Sequence, residues 1–277
     1  MSFFQAVFLG FVQGVAEFLP ISSSGHLAIF QNLFHMNGVG EVDLLFDVLL
    51  HLGTLLSVLV VYWKDIKGMV LEFFSMIRLY KHPNGKGGDP ISRRMIWFII
   101  VATLPMVLVL PVKDKVEGLY NNMFFIAAAL MVTGLLLFLS DRFQNGHKEV
   151  KNATILDAFL VGCGQVLAVV PGLSRSGTTI SSGLLRGFDR TFAVKFSFLL
   201  SIPAILGATL LELLDALSGS IDPSMIPYYL TGMATAAVCG YASIKLLHKI
   251  SQSKRFGVFS YYCWGVGLLT LFLALIA

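Results

Sequence analysis

The residues best suited to chemistry lie in one stretch, Gln13–His26, which reads Q-G-V-A-E-F-L-P-I-S-S-S-G-H. Within ten residues it brings together a carboxylate (Glu17), three consecutive hydroxyls (Ser22–Ser24) and an imidazole (His26). Ser23 can act as a nucleophile, with His26 as its base or as the acid for the leaving group. Glu17 can orient His26 or hold a divalent cation. This set of residue types suits nucleophilic attack on phosphorus.

A second polar stretch, P-G-L-S-R-S-G-T-T at 171–179, supplies the groups that bind phosphate. The Arg175 guanidinium can donate two parallel hydrogen bonds to phosphate oxygens. Gly172 and Gly177 let backbone N–H groups approach an anion, and a helix that starts near Thr178 would point its positive end there. We therefore expect a phosphate-binding set drawn from both stretches: Ser22, Ser174, Arg175, Ser176, Gly177 and Thr178.

Structural roles remain open for several of these side chains. Serines in membrane helices often hydrogen-bond to the preceding turn, which is an alternative role for Ser22 and Ser24. Arg175 could pair with Glu17 as a purely structural ion pair. Against this, an ionisable residue inside an apolar segment is costly, so it indicates a functional site by default.

The composition of the whole chain indicates what must position these residues. It has 277 residues, of which 56% are hydrophobic and 13% charged, whereas soluble domains carry about 25% charged residues. These values predict an all-α polytopic membrane protein. The net charge of +4 does not indicate nucleic-acid binding, because the basic residues fall in short loops between apolar runs. Six runs are predicted to span the membrane: Leu44–Trp63, Met95–Val112, Met123–Ser140, Phe192–Leu214, Ile226–Ile244 and Phe256–Ala277.

Shorter segments surround these spans. Pro105 interrupts the second span, and Met69–Tyr80 is predicted to be an amphipathic helix at the interface. Asp47 and His51 lie one helical turn apart on the first span, and we expect this pair to face protein rather than to act directly.

The first polar stretch is predicted to form a re-entrant hairpin. Pro20 and Gly25 bracket the serines, so a helix that runs to Leu19 should break there. The apolar piece that follows, Leu27–Phe34, is about half the ~20 residues that a span needs. Broken backbone at membrane depth is tolerated only where it is buried in protein or lines a wet cavity.

The chain also matches itself after a shift of 152 residues. Five identities align: Gly10 with Gly162, Gln13 with Gln165, Ser22 with Ser174, Ser24 with Ser176, and Gly25 with Gly177. The sequence therefore predicts one integral membrane domain, 1–277, made of two repeats at about 1–140 and 153–277. Each repeat has one hairpin and three spans, and an odd number of spans turns the second copy upside down in the membrane.

The distribution of charge supports this layout. Alternate loops at 64–94, 141–152, 186–195 and 245–255 carry 17 of the 20 Lys and Arg residues. Under the positive-inside rule these loops are cytoplasmic and both termini lie outside. The two hairpins would then enter from opposite faces, and their tips could meet in the middle of the membrane.

The two motifs, Q-x-x-x-E-F-L-P-I-S-S-S-G-H and P-G-x-S-R-S-G-x-T, resemble those of the bacterial undecaprenyl-diphosphate phosphatase family, the bacitracin-resistance type. The resemblance covers the whole chain in length, span layout and motif positions. It implies hydrolysis of undecaprenyl diphosphate to the monophosphate, which recycles the lipid carrier for peptidoglycan and other envelope polymers. It also implies a bacterial plasma (inner) membrane location, with the active site open to the periplasmic or outer side. Carried over by motif, the functional residues are Glu17, Ser23 as nucleophile, His26, Ser174 and Arg175.

A divalent cation, Mg²⁺ or Ca²⁺, is expected beside Glu17, because one Arg leaves much of the diphosphate charge uncompensated. The family's first motif begins with Glu or Gln, and this chain has Gln13, which makes a metal-ligand role at that position weaker. The alternative function is a transporter or lipid flippase that binds a translocated anion or lipid phosphate through Glu17 and Arg175. The expected partners are a lipid-linked diphosphate and membrane lipids. No oligomeric state is predicted, since lipid-facing and partner-facing surfaces have similar compositions.

Overall fold

A computed structural model describes residues 1–33, 44–80, 88–112, 115–116, 118–142, 146–218, 222–252 and 256–276. These residues are predominantly helical, which confirms the all-α prediction. Short 3₁₀-helices occupy Leu104–Val112, Gly118–Asn121 and Pro223–Met225. The α-helices are α1 Phe3–Phe18, α2 Ser23–Leu33, α3 Leu44–Val61, α4 Trp63–Met76, α5 Pro90–Thr103, α6 Met123–Arg142, α7 Ile155–Leu167, α8 Arg175–Leu185, α9 Arg190–Ser218, α10 Ile226–Gln252 and α11 Gly257–Ile276.

Five helical segments among the described residues are long and apolar enough to cross a membrane. A sixth is obtained when α3 and α4 are taken as one broken span, with a bend of 84° between them. The chain is therefore a multi-pass membrane protein, as predicted. The amphipathic helix begins at Trp63 and ends at Met76, so the predicted bounds, Met69–Tyr80, were wrong. Helix α4 starts directly after a one-residue break at Tyr62, where the apolar run of α3 ends and charged residues such as Lys64 and Asp65 begin.

The interruption of the second span by Pro105 is confirmed. The α-helical part of this span, α5, ends at Thr103, and the chain continues as a 3₁₀-helix from Leu104. Proline has no N–H to donate to the preceding turn, and its ring crowds the carbonyl four residues earlier. The two pieces together still form one apolar segment of 23 residues, Pro90–Val112.

The later helices extend beyond their predicted ends. The fourth predicted span, Phe192–Leu214, lies within α9, and the fifth, Ile226–Ile244, lies within α10. Hydropathy marks the edges of the apolar run, whereas a helix can continue into polar residues at the interface. The sequence therefore located these spans but not their helix ends.

The basic loops lie together at one end of the molecule, which we call the basic face. Arg94 donates to the carbonyl oxygen of Ala153 at 2.7 Å, and Arg190 donates to Asp141 at 2.8 Å. The Lys195 ammonium pairs with Asp65. These contacts join the loops at 64–94, 141–152 and 186–195, which the charge pattern assigned to one side of the membrane.

The two hairpins enter the protein from opposite ends. The second hairpin, α7–α8, starts and finishes at the basic face, where Asp157 pairs with Lys148 and Arg186. The first hairpin, α1–α2, enters at the other end, where residues near the start of α1 share an apolar cluster with Tyr229 near the start of α10.

Small residues at equivalent positions of the two hairpins allow close helix packing. Gly10 of α1 lies against the backbone of Gly232 in α10, and Gly162 of α7 lies against the backbone of Ala102 in α5. A side chain at either glycine would collide with a carbonyl group. In each hairpin, therefore, a glycine in the first helix allows close packing against a neighbouring helix, and the two glycines lie 152 residues apart. The proposed limits of the full repeats, 1–140 and 153–277, stay a prediction.

Candidate active site

The break in the first hairpin places its three serines at the start of a helix. After α1 ends at Phe18, the chain turns, and Ser22 adopts a positive φ of 72°, which is rare for a residue with a side chain. The Ser22 hydroxyl accepts a hydrogen bond from the N–H of Gly25 at 3.2 Å, as an N-cap does. Ser22 is therefore a helix cap, and α2 begins at Ser23.

The second hairpin repeats these hydrogen bonds, although its cap, Ser174, has an extended backbone with a φ of −70° where Ser22 has +72°. The Ser174 hydroxyl accepts from the Gly177 N–H at 3.0 Å and lies 3.2 Å from the Ser176 hydroxyl. The corresponding distance between the hydroxyls of Ser22 and Ser24 is 3.3 Å. The helix α8 begins at Arg175, so the prediction that it starts near Thr178 was wrong. Because Ser174 is an N-cap, the helix starts immediately after it rather than after the glycine.

His26 and Thr178 occupy equivalent positions in the two copies. Nδ1 of His26 lies 2.8 Å from the carbonyl oxygen of Ser22, and the Thr178 hydroxyl donates to the carbonyl oxygen of Ser174 at 2.8 Å. The two hairpins therefore share the same pattern of local hydrogen bonds but carry different side chains at equivalent positions. Where the first hairpin carries Ser23 and His26, the second carries Arg175 and Thr178.

The tips of the hairpins contact each other, as the inverted layout predicts. The Ser176 hydroxyl donates to the carbonyl oxygen of Leu19 at 3.2 Å. Gly25 faces Gly172 so closely that a Cβ atom at Gly25 would lie 3.2 Å from the Cα atom of Gly172. Gly172 itself has a φ of +91°, which suits glycine.

Glu17 stands at the centre of the meeting point and is 7% exposed. Its Oε1 accepts a hydrogen bond from Nη2 of Arg175, across a separation of 158 residues in the chain. Its Oε2 accepts from the Ser23 hydroxyl at 2.6 Å and from the Gln13 amide at 3.1 Å. The carboxylate is thus paired and hydrogen-bonded, as a buried charge must be. Glu17 and Arg175 do form the ion pair that the sequence left open.

The same location is suited to binding an anion. Nη1 of Arg175 is buried and has no hydrogen-bond partner among the described residues. The helices α2 and α8, of 11 residues each, both begin at the tips. Their first N–H groups have no partner within the helix, and their positive dipole ends face the meeting point. A phosphate placed there would give Nη1 the acceptor that it lacks.

Neither ring nitrogen of His26 is hydrogen-bonded to Ser23 or Glu17. Its Nε2 lies 2.9 Å from the hydroxyl of Tyr262 in α11, and the two rings stack with their centroids 5.6 Å apart. Glu17 binds Ser23 rather than His26, so the expectation that Glu17 orients His26 was wrong. The reason is geometric: the Ser22 carbonyl already holds Nδ1, and Ser23 lies between the carboxylate and the imidazole along the chain.

Three residues near the site were missed or underrated in the sequence. Tyr262 carries no motif that links it to His26. Thr133 of α6 accepts from the Ser174 N–H and donates to the Gly172 carbonyl oxygen, both at 3.1 Å, which fixes the second tip. His51 lies near enough to Glu17 for the two charges to influence each other, and its Nδ1 lies 2.9 Å from the carbonyl oxygen of Asp47. The i, i+4 spacing of Asp47 and His51 was the one available signal.

Comparison with known proteins identifies the family. The model of the family described as "Bacitracin resistance protein BacA" matches residues 6–269. The chain belongs to this family. The relative from Methanobrevibacter smithii is 42% identical over 274 residues, which cover 97% of this chain and 96% of the relative. The relative from Halothermothrix orenii is 39% identical over 99% of both chains, and that from Alkaliphilus metalliredigens is 41% identical over 100% of both. All three are named undecaprenyl-diphosphatase.

In this member of the BacA family, the predicted phosphate-binding hydroxyls also hold the tips together. Ser174, Ser176 and Thr178 are almost fully buried, and each hydroxyl has a partner within the tips. Each can still accept a further hydrogen bond, since a hydroxyl has two lone pairs. Their contact with phosphate stays a prediction.

The donor atoms around Glu17 suit a cation only if the substrate shares in binding it. Among the described residues, no group of three or more His, Cys, Asp or Glu side chains converges as a metal site. The Glu17 carboxylate is accompanied by Oε1 of Gln13, which is buried and has no partner there. Mg²⁺ characteristically takes one or two protein oxygens and completes its shell with phosphate oxygens and water. The site therefore fits a cation that arrives with the diphosphate.

Proposed function

We propose that this chain is an undecaprenyl-diphosphatase that hydrolyses undecaprenyl diphosphate to undecaprenyl phosphate and inorganic phosphate. The relatives' shared name supports the activity. The observation that carries the proposal is the position of the Ser23 hydroxyl, 2.6 Å from Glu17 and beside the same carboxylate that holds Arg175. Glu17, the base in this proposal, thus contacts both the nucleophile, Ser23, and the phosphate-binding guanidinium of Arg175.

The terminal phosphate binds at the meeting point of the two tips. Nη1 of Arg175 donates to one of its oxygens, and the N-terminal N–H groups of α2 and α8 donate to others. Ser22, Ser174, Ser176, Gly177 and Thr178 shape the two helix starts around the anion. In this arrangement the first hairpin supplies the chemistry and the second supplies most of the phosphate binding.

In the first chemical step, the Ser23 oxygen attacks the terminal phosphorus and its proton passes to Glu17. The bond between that phosphorus and the bridging oxygen breaks, and undecaprenyl phosphate leaves with the bridging oxygen and its electron pair. The enzyme then carries a phosphoserine at Ser23. Glu17 is suited to be the base because it already accepts the Ser23 hydrogen bond at 2.6 Å.

In the second step, water attacks the phosphoserine and inorganic phosphate is released. The bond from phosphorus to the Ser23 oxygen breaks, and that oxygen regains its proton from Glu17. His26 lies three residues after Ser23 on the same helix, so the two side chains project from neighbouring positions. We assign His26 the removal of the proton from the attacking water, through Nε2.

A divalent cation, Mg²⁺ or Ca²⁺, completes the charge balance in this proposal. Glu17 and Oε1 of Gln13 would hold it, together with oxygens of the diphosphate. When bound, it offsets the negative charge of the substrate in a site of low dielectric.

The proposal places the protein in the bacterial plasma membrane, with its basic face in the cytoplasm and both termini outside. The site then opens to the periplasmic or outer side and receives its lipid-linked substrate from the membrane. Recycling of the carrier would serve peptidoglycan and envelope synthesis, and it would confer resistance to bacitracin. No finding favours the transporter alternative, since transport does not require a serine hydrogen-bonded to the buried carboxylate.

The test is release of inorganic phosphate from a prenyl diphosphate by the purified protein in detergent, with Mg²⁺ or Ca²⁺ present. The wild type should release phosphate, and Ser23→Ala should abolish it while binding of a non-hydrolysable diphosphate analogue is kept. Ser24→Ala is the matched control, because it removes the neighbouring hydroxyl, and it should retain activity within about threefold. A wild type without phosphate release would refute the proposal, and an active Ser23→Ala would exclude Ser23 as the nucleophile.

A further inference from the structure

Both ring nitrogens of His26 are held by hydrogen bonds. Nδ1 lies 2.8 Å from the Ser22 carbonyl oxygen, and Nε2 lies 2.9 Å from the Tyr262 hydroxyl. The first contact is local, within one turn of α2. The second comes from α11, 236 residues further along the chain.

These two contacts define the tautomer of the neutral imidazole. A carbonyl oxygen can only accept a hydrogen bond, so the proton of the ring is on Nδ1. Nε2 is then unprotonated and accepts the hydrogen bond from the Tyr262 hydroxyl. Nε2 is also the nitrogen that would take a proton from the attacking water.

The Ser22 end of this arrangement is fixed by the hairpin itself. The Ser22 carbonyl oxygen also accepts the backbone N–H of His26 at 3.2 Å, and the Ser22 hydroxyl caps Gly25. One contact at Nδ1 still leaves the ring free to tilt about it. The Tyr262 hydroxyl supplies a second fixed point, and the Tyr262 ring lies nearly parallel to the imidazole, with 9° between the two planes.

The two rings differ in their access to the surroundings. His26 is 6% exposed, whereas Tyr262 is 44% exposed. The Tyr262 side chain, which extends from α11 to α2, thus lies on the more exposed side of His26. A small rotation of this exposed ring would uncover Nε2 without disturbing the buried core.

We propose that Tyr262 is a positioning residue for His26, which holds Nε2 unprotonated and oriented at rest and yields it to the water that attacks phosphoserine. The inference rests on the proposed function, because it needs His26 to act on a reacting proton. It adds a residue on the last helix, α11, to a site built mainly from the two hairpins. It also implies that water reaches Nε2 of His26 from the side where α2 and α11 meet.

The test is Tyr262→Phe in the full-length protein, with ¹⁵N-labelled histidine and a phosphate-release assay. His26→Asn assigns the His26 ring signals among those of the six histidines. In the wild type, the nitrogen shifts should show a proton on Nδ1. In Tyr262→Phe, the Nε2 shift should move, and kcat should fall by about threefold to tenfold with little change in KM.

Tyr261→Phe is the matched control, because Tyr261 is 64% exposed on the neighbouring position and lies against Trp264. It should change neither the His26 shifts nor kcat. Unchanged His26 shifts in Tyr262→Phe would overturn the inference, and so would changed shifts with an unchanged kcat. A wild type that releases no phosphate would instead refute the proposed function, and the positioning role with it.

Discussion

Substitution of Glu17 by Gln separates the two roles that the site gives to this carboxylate. Glu17 accepts hydrogen bonds from Arg175, Ser23 and Gln13. Glutamine has nearly the same shape, but it cannot take the Ser23 proton at neutral pH. The substitution therefore removes a base while it leaves the packing of the tips intact.

The cost to folding can be worked out from these contacts. The oxygen of the new amide can still accept from Arg175, and its NH₂ group can donate to the Ser23 hydroxyl. The Gln13 amide can turn to present its Oε1 to the same NH₂ group, since in the wild type this oxygen has no partner among the described residues. What is lost is the charge of the ion pair, worth about 1–3 kcal/mol of stability after the desolvation of the carboxylate is offset.

The cost to catalysis should be larger. A positioned base contributes about 10²–10⁴-fold in rate, which corresponds to about 3–5 kcal/mol in the activation free energy. Glu17→Gln should therefore lose kcat by this factor while the protein stays folded. Glu17→Ala should lower both kcat and stability, because a buried Arg175 without its partner costs about 3–5 kcal/mol of stability.

The assay compares kcat for phosphate release with the free energy of unfolding in detergent. Glu72→Gln is the matched control, because Glu72 is also fully buried and binds an arginine, Arg93 at 2.6 Å, far from the tips. It should lose stability to a similar degree and keep kcat. A Glu17→Gln protein with kcat within about threefold of the wild type would show that Glu17 is not the base.

Four further predictions follow from the contacts at the tips and from the layout of the chain. Arg175→Ala should weaken both binding of a diphosphate analogue and turnover, and Arg175→Lys should restore little, because an ammonium cannot reproduce the planar fork; equal activity of the lysine variant would contradict this. Gly25→Ala should crowd the contact between the tips, because its Cβ would lie 3.2 Å from the Cα atom of Gly172. We expect it to lower both thermal stability in detergent and phosphate release, and an unchanged melting temperature would count against the contact. In a variant without native cysteines, Lys148→Cys and Ser224→Cys should react with a membrane-impermeant reagent from opposite sides, and labelling of both from one side would exclude the inverted layout. Exhaustive chelation should abolish phosphate release and added Mg²⁺ or Ca²⁺ should restore it, whereas full activity after chelation would exclude the cation.

Much of the architecture could be predicted because the bilayer restricts what a backbone can do. Apolar runs must be helical, and a broken helix at membrane depth must be buried in protein. Pro20 and the serines therefore identified the first hairpin, and the self-match identified the second. The charge pattern predicted which loops share one side of the membrane, and the basic residues of three of these loops do meet at one face. Helix ends were less predictable, because α9 and α10 continue into polar residues that hydropathy cannot distinguish from a loop.

The chemistry of the site was predictable as a list of residue types but not as a set of pairs. The residue types suggested His26 as the base for Ser23, and the two residues lie three apart on α2. The structure gives each of them another partner: Ser23 binds Glu17, and His26 binds Tyr262. Ser22 contributes to this, because its carbonyl oxygen accepts a hydrogen bond from Nδ1 of His26.

The sequence by itself determined the membrane class and the positions of the two broken hairpins. The caps formed by Ser22 and Ser174 are also local, because each hydroxyl binds an N–H within one turn, but they were not predicted. Only the tertiary structure decided that Arg175 meets Glu17 and that Tyr262 covers His26, across 158 and 236 residues. The physical reason is that a side chain binds the best-placed partner within its reach, and the packing of distant helices decides which partners are in reach.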